Sequence, residues 1–244
     1  MMGSMGSSRH MKRSAAPSFW KIPRKLGQFT VKPSPGPHPI NESYSLAVLL
    51  RDVLKVVKSM REARYVINSG KVLIDGVIRY DKKFPVGLMD VISIPSINKV
   101  YRMLPSKKAM LFPQEIDLES AKFKLCKVKS KNKVKSNKFS YGLHDGRTIL
   151  SENDLGLNVG DSVLITIPEG KFVNKVKLEK GSLVLFLKGK HIGKIGVVKD
   201  IIKGTFTSEK SAEVDVEGET VRVPLSAILA VGKDKPILSI GVGG

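Results

Sequence analysis

The run from Ser43 to Pro95, SYSLAVLLRDVLKVVKSMREARYVINSGKVLIDGVIRYDKKFPVGLMDVISIP, holds two helical signatures followed by a hairpin. Leu46, Leu49, Leu50, Val53, Leu54 and Val57 recur at helical spacing and form one apolar stripe. Arg51, Lys55 and Lys58 fall at i, i+4 and i+7, which predicts a cationic face opposite that stripe. Ser59 with Glu62 three residues on is a capping box, each side chain satisfying a backbone N–H of the other, so a second helix starts there. Ala63, Val66 and Ile67 continue its apolar face, and Arg61 and Arg64 lie off it. Gly70 stops this helix, because glycine takes the left-handed position past a helix end without a Cβ clash. The runs Lys71–Ile74 and Val77–Tyr80 flank Asp75-Gly76, a strong two-residue hairpin signal. The product is a small platform. Its outer side offers planar, bidentate phosphate donors from Arg51, Arg61 and Arg64, with Lys55, Lys71 and Arg79 beside them.

Composition separates this reading from the bland one, a merely solvated helix face. The chain has 244 residues with 42 Lys+Arg against 22 Asp+Glu, a net charge of +20. Such a balance points to a polyanionic partner, nucleic acid or an anionic membrane surface. A hydrophobic fraction of 41% is enough for packed cores, so the chain is not a disordered basic tail. Aromatics at 6% argue against a surface built mainly on stacked single-stranded bases. The single cysteine, Cys126, excludes an intramolecular disulfide and disfavours a cysteine-based metal site. No run approaches the ~20 apolar residues of a membrane helix, the N-terminus lacks the apolar core of a secretory signal, and cytoplasmic residence is the expectation.

Residues 1–40 hold seven Lys+Arg and no acid, and five prolines lie between Pro23 and Pro39. These forbid a regular element there, and the segment reads as an arm that orders on a partner. Arg9, Lys12, Arg13, Arg24 and Lys25 are its candidate phosphate contacts. Trp20 is expected either to stack on a base or to plug into the platform. From Ser96 to about Glu169 the pattern is β-rich. The segment Lys122–Lys138 holds eight lysines and no acid, with Phe123, Leu125 and Val128 partly alternating with Lys122, Lys124, Lys127 and Lys129. It predicts a strand with a bulge near Cys126, one apolar face and one cationic face. Its bland alternative is a lysine-rich edge that discourages strand pairing.

Farther on, Leu183–Leu187 and Lys194–Ile201 read as strands around the loop Lys188-Gly189-Lys190-His191-Ile192-Gly193. Lys188, Lys190, His191 and Lys194 are its candidate contacts. After Gly204 the charge reverses to six acids against four Lys+Arg, so this end is expected to face solvent or a protein neighbour. No catalytic or metal constellation emerges. The four histidines lack ligand-spaced partners, the loop at residues 189–196 is neither a Walker nor a dinucleotide pattern, and His144-Asp145-Gly146-Arg147 reads as a turn.

The segments LLRDVLK, EARYVINSGKVLIDG and PVGLMDVISIP resemble the S4 RNA-binding domain, and RHMKR, APSFWKIPRK and PSPGPHP resemble the N-terminal signature of the S4e family of small-subunit ribosomal proteins. The glycine-rich loop resembles a KOW motif. This resemblance implies an α+β, multidomain chain. The parts are a basic arm (1–41), an S4-like helix–helix–hairpin domain (42–105), a central β-rich domain (106–174) and a C-terminal SH3-like β-barrel with the KOW motif (175–244). It further implies a structural constituent of the small ribosomal subunit in the cytoplasm, partnered by ribosomal RNA and neighbouring ribosomal proteins. No enzyme activity, cofactor, membrane or small-molecule substrate is implied. The alternative is a dissociable KOW-containing translation or transcription factor.

Overall fold

The computed structural model describes residues 10–107, 109–134, 138–205 and 209–238. The fold is mostly β with few helices. Three five-stranded antiparallel sheets follow one another along the chain.

The arm is ordered. Strands β1 (Met11–Lys12) and β2 (Phe29–Thr30) pair, and Met11, Ala16, Trp20 and Ile22 are buried in the same core as Tyr44, Leu46 and Ile67. The expectation of an arm without its own order fails because these apolar residues, interspersed among the cations, plug into the platform. Trp20 is 2% exposed, stacks on Tyr44 at 5.6 Å between ring centroids, and donates its indole N–H to the Ser43 carbonyl at 2.9 Å. Of its two expected roles it takes the second.

Next, β3 (Tyr44–Ser45) leads into a helix whose first turn is α (Leu46–Val48) and whose remainder widens to π geometry (Leu49–Val53). The Leu54 N–H accordingly donates to Leu49, five residues back, and the chain turns away at Lys55 with φ 55°. A single helix bearing Arg51, Lys55 and Lys58 on one face is therefore not formed. The second helix, Met60–Asn68, has the expected capping box, with the Glu62 N–H donating to Ser59 Oγ and Glu62 accepting from the Ser59 N–H. Asp75 and Gly76 have φ of 49° and 72°, as the tight turn between β4 (Leu73–Ile74) and β5 (Val77–Ile78) requires. The short β6 (Pro85–Val86) pairs with β3.

The first large sheet runs β5-β4-β7-β8-β9, with β7 (Val91–Ile94), β8 (Lys99–Ser106) and β9 (Ala109–Glu115). The hairpin of β8 and β9 crosses the boundary expected at residue 105. The second sheet places β10 (Phe123–Lys133) at its centre, between β11 (Phe139–Leu143) and β13 (Ser162–Thr166), with β12 (Thr148–Ser151) and β14 (Phe172–Val176) at its edges. Its bulge lies between Val128 and Ser130 rather than at Cys126.

The third sheet runs β18-β17-β16-β15-β19. It comprises β15 (Leu183–Phe186), β16 (Ile195–Ile202), β17 (Ser211–Val216), β18 (Glu219–Pro224) and β19 (Ile228–Gly232). Ala212, Val214 and Val216 point into a core with Val184, Phe186 and Val198, while Glu213 and Asp215 stay outside. A further core joins all three sheets through Met89, Leu104, Leu125, Leu164, Leu185 and Leu229. Among the described residues no helix is long and apolar enough to cross a membrane.

Replacing Trp20 by Ala in the full chain is expected to cost about 3–5 kcal/mol, because the indole leaves a cavity and an unpaired Ser43 carbonyl. The loss is read as a drop in urea midpoint; an unchanged midpoint would mean that the arm does not contribute to the core.

Candidate nucleic-acid interface

The platform helix Met60–Asn68 buries Ala63 and Ile67 and leaves Arg61 and Arg64 exposed. No acid pairs with either arginine among the described residues. Lys71 is exposed, its ammonium 5.8 Å from the Tyr65 ring centroid. Lys55 is exposed at the turn that ends the first helix. Arg51 is half-buried and bidentate to its neighbour Asp52, at 3.0 and 2.7 Å, so its fork already holds a carboxylate. Arg79 is half-buried and lies over the Phe84 ring at 4.5 Å.

In the arm, Lys12 and Lys25 are exposed, whereas Arg13 and Arg24 are structural. Arg13 is buried and donates to the carbonyls of Pro23 and Phe29, and Arg24 donates to those of Arg13, Ala16 and Pro17. A segment that proline keeps out of regular structure has unpaired carbonyls, and here the guanidinium groups satisfy them. These two residues, with Trp20, leave the predicted contact surface. Arg9 lies outside the described residues.

The central strand gives the largest correction. Lys122 and Lys129 are exposed, Lys122 pairing with Glu119. Lys124 and Lys127 are buried, because β10 is covered on both faces. Lys124 meets Asp90 at 2.6 Å, Asp75 at 2.7 Å and Asp145 at 3.1 Å. The first two acids belong to the platform sheet and the third to the central hairpin, so one ammonium ties the two modules. Arg147 joins from the same hairpin, donating to Asp75 at 2.9 Å, and His38 from the arm donates to Asp90 at 3.0 Å. Lys127 reaches the other way and donates to the carbonyls of Leu225 and Ile228, the latter at 2.7 Å. Arg102, fully buried in β8, donates to the Ser120 and Phe123 carbonyls.

Burial sets the electrostatics of this region, and the neighbouring charges decide its sign. Burial opposes charge on Lys124, yet Asp90 and Asp75 hold its pKa well above the ordinary lysine value. Burial pushes the Asp90 carboxyl up, but Lys124 and His38 outweigh it and hold it well below the usual range. For Asp75 burial and the adjacent Asp90 charge win, and its pKa is raised. Three carboxylates share two full cations, and a raised Asp75 eases that imbalance. Burial lowers Lys127 to about 8, with Lys129 and Lys188 adding to the effect. Burial also lowers His144 to about 4, with the Lys124 charge reinforcing it.

Cys126, His144 and Asp145 stand close enough to share a metal ion. Their donors are engaged, however. His144 Nδ1 accepts from the Lys127 N–H and its Nε2–H donates to Leu88, while Asp145 faces Lys124 and receives the Cys126 thiol. Burial raises the Cys126 thiol well above its ordinary value, so the adjacent lysines do not make it a thiolate. This is a salt-linked joint and does not fit a metal centre.

In the C-terminal loop Lys188 and Lys190 are exposed. Lys188 pairs with Glu42 at 2.6 Å, Lys194 pairs with Glu217, and half-buried His191 lies against Phe186 at 6.0 Å.

Comparison with known proteins finds matches to the arm, the platform and the central region. The RS4NT (NUC023) domain matches residues 5–41, the S4 domain residues 46–92 and the ribosomal family S4e residues 97–172. The small ribosomal subunit protein eS4 of Methanothermobacter thermautotrophicus is 42% identical over 99% of this chain and 100% of its own length. The chain belongs to the S4e family of ribosomal proteins. The eS4 protein of Archaeoglobus fulgidus is 41% identical over 96% of this chain and 98% of its own. The crystal structure of the 30S ribosomal protein S4e from Thermoplasma acidophilum covers 79% of this chain and 96% of its own, with a TM-score of 0.69 at 28% identity.

Of the predicted contacts, Lys12, Lys25, Lys55, Arg61, Arg64, Lys71, Lys122, Lys129, Lys188 and Lys190 are presented to solvent. Sequence reasoning missed the joint of Asp75, Asp90, Asp145, Arg147 and His38. Its one local signal is the Asp-Gly turn at each hairpin. A central position of each turn supplies an aspartate, but nothing local shows that two such turns meet.

Replacing Lys124 by Met leaves Asp75, Asp90 and Asp145 to Arg147 and His38 alone and is expected to cost about 3–5 kcal/mol, read from urea midpoints. Adding Asp75→Asn and Asp90→Asn should recover part of the loss; a wild-type midpoint for Lys124→Met would mean that the joint carries no stability.

The joint also predicts acid sensitivity. His144 has a folded value below its ordinary 6.5, so its contribution is present above 6.5 and is lost as pH falls through about 4. The loss is on the order of 3 kcal/mol. Asp90 and Asp145, both depressed, add a loss below their ordinary 3.8, whereas raised Asp75 works in the opposite sense. Lys124 contributes fully below 10.5 and fades only as pH rises through its raised value. Urea midpoints are therefore expected to fall between pH 6.5 and 4, and a flat profile across that window would contradict a neutral, buried His144.

Proposed function

We propose that this chain is a structural constituent of the small ribosomal subunit that binds ribosomal RNA and supports subunit assembly. The observation that carries this reading is identity at about 40% with eS4 proteins across nearly the full length of both chains. The chain is a structural ribosomal protein and not an enzyme. Its place is in the ribosome, and the cytoplasm is the compartment this reading gives it.

The exposed cations support a mechanism of phosphate gripping. Arg61 and Arg64 project from a capped helix on a packed platform, and Lys55 and Lys71 flank them. Lys122 and Lys129 at the ends of the buried part of β10, and Lys12 and Lys25 of the arm, extend the footprint. Such contacts read RNA by backbone shape, through phosphates and 2′-hydroxyls, more than by sequence. The loop from Lys188 to Gly193 is read as a KOW element of an SH3-like barrel, with Lys190 as its outermost contact. The single core that β15 to β18 share supports that reading. Neighbouring ribosomal proteins are the partners expected at the acidic outer face of β17.

Gradient sedimentation of cell extract tests the function, repeated after a high-salt wash of the ribosomes. Retention with the small subunit at near one copy per particle is the expected result. Release by the wash, or sedimentation alone, would replace this reading with a dissociable KOW-containing factor.

A further inference from the structure

We propose that Tyr65 and Tyr80 form a stacking site for an unpaired base of the bound RNA, set beside the phosphate grip of Arg61, Arg64 and Lys71. This rests on the reading that the exposed face of helix Met60–Asn68 contacts RNA, and it names what that face recognises. Of the five tyrosines, Tyr44 and Tyr141 are buried and Tyr101 is half-buried. Tyr65 and Tyr80 are 67% and 61% exposed. They belong to one patch. Gly70, at the end of the helix, faces Tyr80 and Ile78 so closely that a Cβ on it would stand 3.4 Å from Tyr80 Cε1 and from Ile78 Cγ2. Lys71, the next residue, extends over the Tyr65 ring. Arg61 precedes Tyr65 by four residues, one helical turn, so the two share a face.

The charges favour a polyanion over an acidic-rimmed protein contact. The acids of this region are exposed but already engaged by local partners. The Glu62 carboxylate accepts from the Lys58 and Ser59 N–H groups, and Asp81 accepts from the Lys83 N–H and the Ser34 hydroxyl. An aromatic ring left in water among cations suits a nucleotide, whose base offers a π-face and whose phosphate offers the charge. A continuous duplex hides its base faces in the stack, so the matching partner is a bulge, loop or junction with a base turned out. Two rings are compatible with a chain poor in aromatics, because phosphate contacts supply most of the binding and stacking acts at one point.

The test uses the full chain with two labelled RNAs, a hairpin carrying an adenosine bulge and a fully paired hairpin of equal length. Tyr65→Ser with Tyr80→Ser is expected to weaken binding to the bulged RNA roughly ten- to hundred-fold and to leave the paired RNA unaffected. The slope of log affinity against log salt should stay at its wild-type value. Tyr65→Phe with Tyr80→Phe should restore binding, since the ring is kept and only the hydroxyl lost. Arg61→Ala with Arg64→Ala should instead weaken both RNAs and flatten the salt slope. Wild-type affinity of the double serine variant for the bulged RNA, with the arginine variant still impaired, would overturn stacking and leave a phosphate grip alone. Equal losses on both RNAs would overturn it as well. Full affinity of the arginine variant would overturn the underlying reading of this face. Both tyrosines are largely exposed, and an unchanged urea midpoint confirms that the variants fold.

Discussion

Lys124 carries a full positive charge into the interior, and the relative placement of the modules depends on what meets it there. An isolated buried ammonium costs several kcal/mol in lost hydration, and each carboxylate at contact returns about 4 kcal/mol at the effective dielectric of proteins. Asp90, Asp75 and Asp145 stand at 2.6, 2.7 and 3.1 Å. Attraction and desolvation are thus of one order, and the joint contributes geometry more than net stability. A greasy joint could slide by a fraction of a turn at small cost. This one cannot, because moving the platform away from the central sheet strands an ammonium on one side and carboxylates on the other.

Lys127 repeats the device toward the third sheet with carbonyls in place of carboxylates, and it shows the difference in its pKa. Carbonyl dipoles compensate burial less than charges do, and Lys127 is lowered to about 8 where Lys124 is raised. Both lysines sit on β10, whose side chains reach the platform through Lys124 and the third sheet through Lys127. The strand therefore works as the spine of the molecule, and the exposed cations on the platform, arm and loop are held at fixed separations by it. Preorganised contacts lose less entropy on binding than contacts on independently moving modules.

What was legible in the sequence is what local chemistry decides. The Ser59–Glu62 capping box, the Asp75-Gly76 turn and the alternation of Ala212, Val214 and Val216 each follow from a few neighbouring residues, and each stands as read. The illegible part depends on contacts distant in the chain. Lys122, Lys124, Lys127 and Lys129 are alike in sequence, yet two are buried and two exposed, because coverage of β10 is settled by Asp75, Asp90, Leu225 and Ile228. Arg13 and Arg24 mislead for a related reason: a proline-rich arm needs internal donors for its carbonyls, and guanidinium groups are the donors at hand. Net charge names the partner class, but it does not say which cations reach it.

The helix that opens the platform shows the same division within a few residues. Its apolar stripe was correct, and Leu46, Leu49 and Leu50 are buried as the period demands. The regular helix does not continue: from Leu49 the backbone widens to π spacing, and it reverses at Lys55. That widening rotates Arg51 onto Asp52 and out of line with Lys55, so the first helix has no cationic ridge to present. The outward-facing charge of the platform then falls to the second helix, where the capping box fixes the start and Ala63 and Ile67 fix the rotation. Arg61 and Arg64 are exposed because those two constraints leave them no other direction.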